Sequence, residues 1–316
     1  HLGGHLTPDL FKEHKNATHD DILFAPHKTP NFNILQVRMK RGDQHEILIE
    51  NFRPGVMERM GLGPDILLAD NPKLVYGRMT GWGQTGPLAM AAGHDINYIS
   101  ITGNLHGYGR PDGKPTPPTN AIGDFAGGGM MLAFGMVAAL LNVARGGKGQ
   151  VVDVAMTDGA SIIHAMQWGF RGLGMWEDTR GVNMLDTAAH FYDTYECADG
   201  KWISIGSIEP QFYALLRKAL GIDSDPAFDA QMDKSQWPVL KAKITDIFKT
   251  KTRDEWSAIM EGTDICYGSI QSMGEALSHP HNVARGTFVQ VNGVDQPAPA
   301  PRFLGTPAAE PVGRKG

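Results

Sequence analysis

The chain has 316 residues, 41% of them hydrophobic, enough to bury a sizeable core in two domains of ordinary size. A formal net charge of −5 argues against nucleic acid or an anionic membrane surface as the main partner, so any phosphate binding falls to local arginines. Cys197 and Cys266 are too far apart for a metal-type pair or a disulfide framework, and with no signal peptide evident the expected setting is reducing and cytoplasmic.

Residues 1 to 46 carry His1, His5, His14, His19, His27 and His45 among many Lys and Asp. None of these histidines has the paired spacing of a helical metal site, so no metal is expected there. Nor does the segment run through a strand, a glycine turn and a helix in succession. From Ile47 the pattern sharpens. Ile47-Leu48-Ile49 suits a buried parallel strand, and Glu50-Asn51-Phe52-Arg53-Pro54-Gly55 turns the chain into a short helix over residues 56 to 60 that stops at Gly61. Residues 73 to 79 read as the next strand, with a glycine loop from Thr80 to Pro87 at its carboxyl end. Strand, helix, strand is the rhythm of a Rossmann-like open parallel α/β sheet, whose ligands sit beyond the carboxyl ends of the strands. That placement brings Arg53, Arg59 and the loop towards one crevice. The loop has neither GxGxxG nor GxxxxGK[ST] spacing and is no nucleotide fingerprint.

After Gly93-His94-Asp95-Ile96-Asn97-Tyr98 and a Pro-rich connection, Asp124 stands before roughly five turns of nearly uncharged helix. Its most apolar run, residues 125 to 141, is at the short edge of a membrane span and reads better as a buried core helix. Arg145-Gly146-Gly147-Lys148-Gly149 ends it with cations and glycine. Residues 150 to 156 form a Val-rich strand and residues 158 to 174 a helix. The pattern loosens around residues 179 to 189, which closes a large α/β domain at about residue 185. Residues 186 to 290 read as a smaller α+β domain. It starts with a hairpin of residues 191 to 197 and 202 to 206 across Ala198-Asp199-Gly200, and continues with helices over 210 to 220, 237 to 250 and 252 to 260. From residue 291 a tail, Pro- and Ala-rich after Gln296, returns to the first domain without regular structure.

Two acid/base groups stand out. His94 lies between Gly93 and Asp95, at a turn where its ring can face a cleft, and Asp124 occupies the N-cap position of the apolar helix. Each has an ordinary explanation, the His as a structural residue and the Asp as a cap. Gly127, Gly128 and Gly129 argue for more, because each costs about 1 kcal/mol against Ala inside a helix. Close approach of another backbone or of a ligand is the usual compensation.

Four segments in order carry a resemblance: Gly93-His94-Asp95-Ile96-Asn97-Tyr98, Asp124-Phe125-Ala126-Gly127-Gly128-Gly129, Gly147-Lys148-Gly149-Gln150-Val151-Val152-Asp153 and Ile208-Glu209-Pro210-Gln211-Phe212-Tyr213. Together they resemble the α-methylacyl-CoA racemases of the family III CoA-transferase superfamily, over about residues 47 to 303. The resemblance implies that superfamily's fold and racemisation of 2-methylacyl-CoA thioesters without a cofactor, CoA being part of the substrate. It implies that His94 and Asp124 exchange the α-proton on opposite faces, with Glu209 as a further catalytic-site carboxylate. Arg53 and Arg59 match arginines that lie along CoA, and Gly93, Asp95, Ile96, Asn97 and Tyr98 complete the substrate site. Amides at the start of the helix after Asp124 are placed to hold the enolate oxygen, and Asp95 to orient the His94 ring. The family pattern also implies an interlocked homodimer, with no nucleic acid or membrane as partner, and a Met-rich surface under the acyl chain.

The chain departs from that pattern beside the expected cleft. Where Met-Leu-Asp-Gly-Gly-Ala-Pro-Phe-Tyr is usual it has Met184-Leu185-Asp186-Thr187-Ala188-Ala189-His190-Phe191-Tyr192, and a usual Asp-Ala-Cys-Val-Thr-Pro-Val appears as Asp264-Ile265-Cys266-Tyr267-Gly268-Ser269-Ile270. Cys266 has no basic sequence neighbour and reads as packing. Two other readings stay open: a CoA transferase with Asp124 as nucleophile, and a non-catalytic CoA-thioester binder.

Overall fold

The computed structural model describes residues 38–41 and 44–313, so the expectations for residues 1 to 37 lie outside the described residues. The chain divides into two compact units, one ending at Asp186 and one beginning at Thr187.

In the first unit, β1 (Arg38–Arg41), β2 (Gln44–Glu50), β3 (Val75–Thr80) and β4 (Val151–Ala155) form one sheet in that order. The last three are parallel, with Ile47 opposite Val75 and Tyr76 opposite Val151. β1 is an antiparallel edge whose Met39 faces Ile47. Arg-Met-Lys-Arg does not read as a strand, because a charged edge strand takes its register from its neighbour and not from its own alternation. The helices are α1 (Val56–Arg59), α2 (Pro64–Asp70), α3 (Asp95–Ser100), α4 (Asn104–Gly107), α5 (Met131–Ala144), α6 (Met156–Ile163) and α7 (Ala165–Gly172). Both faces of the sheet are covered, as parallel strands require. On one face Ile47, Val75 and Val154 pack with Leu132, Met136 and Ala139 of α5. On the other, Leu74 and Tyr76 pack with Met57 of α1.

Ala121–Met130 is wound as a π-helix and runs directly into α5. The expectation of a buried core helix does not hold for this segment. Only 28% of its most apolar window is buried, and Phe125, Met130, Phe134, Val137 and Leu141 are each more than half exposed. By length and composition Ala121–Ala144 could cross a membrane. A helix that is apolar all round buries just one side against a single sheet. The helix expected over residues 158 to 174 is two, broken at His164.

In the second unit, β5 (Tyr192–Glu196), β6 (Trp202–Gly206) and β7 (Tyr267–Ser269) form an antiparallel sheet in sequence order. α8 (Pro210–Leu220), α9 (Trp237–Phe248) and α10 (Arg253–Met260) supply Leu216, Leu240, Ile244, Phe248, Trp256 and Met260 to its core. β8 (Phe288–Val291) and β9 (Val294–Pro297) make a hairpin, so the tail expected to be irregular from Gln296 starts inside a strand. The cause is Asn292-Gly293, at φ 51° and 80°, the two left-handed residues that a type I′ turn needs.

His190, where the racemase pattern has Pro, is fully buried among Phe191, Tyr213 and Phe228, with Nε2 2.7 Å from the Tyr213 hydroxyl. Burial, aided by the Lys241 charge, pushes its pKa down to about 4 from an ordinary 6.5. The unfolded chain therefore takes up this proton at higher pH than the folded one. The stability from neutral His190 is complete above pH 6.5 and is lost as pH falls towards 4, in total about 3 kcal/mol. Urea titrations of the parent and His190→Phe at pH 7.5 and 4.5 test this: the parent should lose about 2.5 kcal/mol more than the variant over that interval, most of the total. An equal loss in both would remove His190 as the cause.

Candidate active site

His94 has an extended backbone and precedes α3, and its N–H donates to Asn97 Oδ1 at 3.1 Å. In place of the expected turn, His94 is the extended residue at the N-terminus of α3, and it is exposed. Asp95, next in the chain, is 3% exposed, and its Oδ2 accepts from the backbone N–H groups of Gly123 (2.6 Å) and Asp124 (2.8 Å). The expectation that Asp95 orients the His94 ring is corrected here, since Oδ2 is committed to the other helix. Asp95 instead ties the start of α3 to the segment that carries Asp124.

Asp124 is not the N-cap of its helix. The π segment begins three residues earlier, and Asn120 stands at its N-cap position without a side-chain capping bond. Asn120 Nδ2 donates to Asp124 Oδ2 at 3.1 Å, a contact that the sequence reading missed. Its signal was a good capping residue directly after Pro117-Pro118-Thr119. Thr119 sits at φ 53°, a left-handed backbone of the kind that clusters at functional sites. The earlier start also removes the enolate donors expected after Asp124. Those amides lie inside the helical ladder, and the Gly123 and Asp124 amides at the helix start go to Asp95.

Tyr98 closes the other side of this cluster. Its hydroxyl donates to the Gly93 carbonyl, and its ring meets Trp82 edge-on at 4.9 Å. A Cβ on Gly81 would lie 2.0 Å from that ring, so this glycine of the 80 to 87 loop does more than turn the chain. Burial first, and the Asp124 carboxylate second, push the Tyr98 phenol above its ordinary value. Of the glycines after Asp124, Gly127 is explained by a neighbouring backbone, whereas a Cβ on Gly129 would meet nothing closer than 3.6 Å. A Cβ on Gly127 would meet Ala160 N at 2.6 Å, and one on Gly159 would meet Gly127 O at 1.9 Å.

Arg53 and Arg59 are exposed beyond the carboxyl end of β2. Gly55, at φ 81°, makes the turn between them, and a Cβ there would lie 3.2 Å from Arg59 Nη1. Ile96 is also exposed. Glu209 belongs to the second unit, where it caps α8 just before Pro210 and is exposed. Cys266 is exposed and left-handed at φ 61°, which corrects its reading as packing. Partial burial and the Glu209 and Asp264 charges raise its thiol pKa, which disfavours the nucleophilic thiolate. Among the described residues no group of three or more His, Cys, Asp or Glu side chains could hold a metal ion.

The family model for CoA-transferase family III matches residues 43–314. The chain belongs to CoA-transferase family III. Within that family it is 45% identical over 264 residues to the α-methylacyl-CoA racemase of Mus musculus, a match covering 83% of this chain and 69% of the mouse protein. The Homo sapiens α-methylacyl-CoA racemase is 45% identical over 276 residues, 87% of this chain and 71% of that protein. Among solved structures, Rv3272 from M. tuberculosis superposes with a TM-score of 0.70 at 27% identity, covering 85% of this chain and 72% of that one. The expected family III fold is the one observed.

Proposed function

We propose that the chain racemises 2-methylacyl-CoA thioesters by moving the α-proton through an enolate. The observation that carries this reading is the double hydrogen bond from the Gly123 and Asp124 amides to Asp95, because it fastens the residue after His94 to the residue that would act with it. The 45% identity to two racemases favours this chemistry over transfer. In the proposed cycle neutral His94 takes the proton from one enantiomer and protonated Asp124 returns one to the opposite face; for the other enantiomer the roles reverse. Asn120 Nδ2 fixes one oxygen of Asp124, which leaves the other to carry the moving proton. Arg53 and Arg59 take the CoA phosphates, as exposed guanidinium groups suit. Glu209 is the further carboxylate that the racemase pattern implies, and no cofactor is needed beyond the CoA of the substrate.

Proton NMR of a 2-methylacyl-CoA with the protein in deuterated water tests the reading. Loss of the α-proton signal without any acyl acceptor is expected. CoA transfer to an added free acid, with no exchange, would make Asp124 a nucleophile and the chain a transferase.

The proposal includes a homodimer. The exposed apolar face along Phe125, Met130, Phe134 and Val137 supports it, since contiguous exposed apolar surface of this kind marks an interaction site. Light scattering should give a dimer mass, and an active monomer would reject it.

A further inference from the structure

We infer that buried Arg78 positions the Arg53 and Arg59 turn for the CoA phosphates, by holding the two carboxylates that flank that turn. The inference rests on the reading that these arginines bind CoA. Arg78 lies on β3 directly opposite Glu50, the last residue of β2. Its side chain is 7% exposed, and that of Glu50 is fully buried. Nε donates to Glu50 Oε1 at 2.7 Å, while Nη1 and Nη2 fork onto the Glu58 carboxylate of α1 at 2.7 and 3.3 Å. One cation thus joins a strand end to the helix that follows it.

The joined residues are the neighbours of the two arginines. Glu50 Oε2 accepts the N–H of Phe52 at 2.7 Å, and Phe52 precedes Arg53. Glu58 precedes Arg59. The far side of the helix is closed as well, because the Tyr76 hydroxyl donates to the Leu62 carbonyl at 3.0 Å and a Cβ on Gly63 would lie 3.0 Å from Glu58 Cγ. Such a frame fixes the turn before ligand arrives, which lowers the ordering entropy of binding.

Charge gives a second reason. Glu58 is half-exposed and adjacent to Arg59; released from Arg78, it could pair with the cations meant for phosphate. Among the described residues neither Arg53 nor Arg59 has an ion pair, whereas Arg78 pairs with both carboxylates beside them.

Glu58→Ala is the decisive variant, since it cuts α1 from Arg78 and leaves the buried Glu50–Arg78 pair intact. Removing a negative charge should by electrostatics alone tighten CoA binding; loss of positioning should weaken it. We expect the Kd for free CoA and the KM for a 2-methylacyl-CoA to rise about tenfold, roughly the effect of losing one charge-assisted hydrogen bond. Turnover of the matching pantetheine thioester, which lacks the nucleotide, should stay within about twofold of the parent, because that substrate does not reach the turn. Arg78→Lys keeps the charge without the fork and should reproduce the pattern. Unchanged or tighter CoA binding by Glu58→Ala, or equal losses with both thioesters, would overturn the inference. Arg53→Ala and Arg59→Ala test the reading beneath it: if neither weakens CoA binding, the arginine–phosphate reading fails and the inference falls with it.

Discussion

His94→Ala and Asp124→Ala are each expected to stop racemisation while leaving the fold intact, and to do so asymmetrically. With two groups on opposite faces, His94→Ala loses α-proton exchange with the enantiomer whose proton faces His94. It retains slow exchange with the enantiomer that presents its proton to Asp124. Asp124→Ala should show the mirror image. A missing acid or base group typically lowers the rate about 10²- to 10⁴-fold. Stability should change by less than about 1 kcal/mol, since His94 is exposed and its bond to Asn97 uses the backbone N–H. Asp124 loses a bond to Asn120, but its own amide stays on Asp95. Single-enantiomer exchange in deuterated water reads the asymmetry directly. Full racemisation by either variant would sink the two-base mechanism. A transferase would instead keep CoA transfer in His94→Ala and lose it in Asp124→Ala.

Gly159→Ala should give a large loss of stability from a single added methyl group. The new Cβ would lie 1.9 Å from Gly127 O and 2.6 Å from Gly127 C, all backbone atoms that cannot rotate away. α6 would have to move off the π segment, and overpacking of this kind typically costs about 1 to 3 kcal/mol, more where backbone must shift. Because Asp124 lies in the first turn of that segment, racemase activity should fall with stability. Gly129→Ala is the control: its Cβ would be 3.6 Å from Asp124 O, so it should be neutral or stabilise by up to about 1 kcal/mol. Calorimetry of both variants settles the point, and a Gly159→Ala protein with unchanged Tm would mean that the two helices are not in backbone contact.

The same glycines show how far a sequence speaks for itself. Their cost inside a helix announces that something approaches closely; at Gly127 the approach is real, and only the tertiary structure identifies it as the backbone of α6. The parallel strands β2, β3 and β4 were legible because burial on both faces leaves near-continuous apolar runs. The β5–β6 hairpin and the helix from Pro210 were legible because turn glycine and N-terminal proline act locally. β1 and β7 were not, since each exists by pairing with a neighbouring strand rather than by its own pattern, β1 with the adjacent β2 and β7 with the sequence-distant β6.

At the site, the sequence by itself determined the candidates: a histidine in a glycine turn, an aspartate heading an apolar helix, and arginines after a strand. Their partners were decided by the fold. Asp95 reaches across 28 residues to the Gly123 amide, Asn120 takes the N-cap position that Asp124 was expected to hold, and Arg78 spans 28 residues to Glu50. Hydrogen bonds of this range leave no periodic trace in a chain, because they depend on where separate elements meet and not on the spacing within either one.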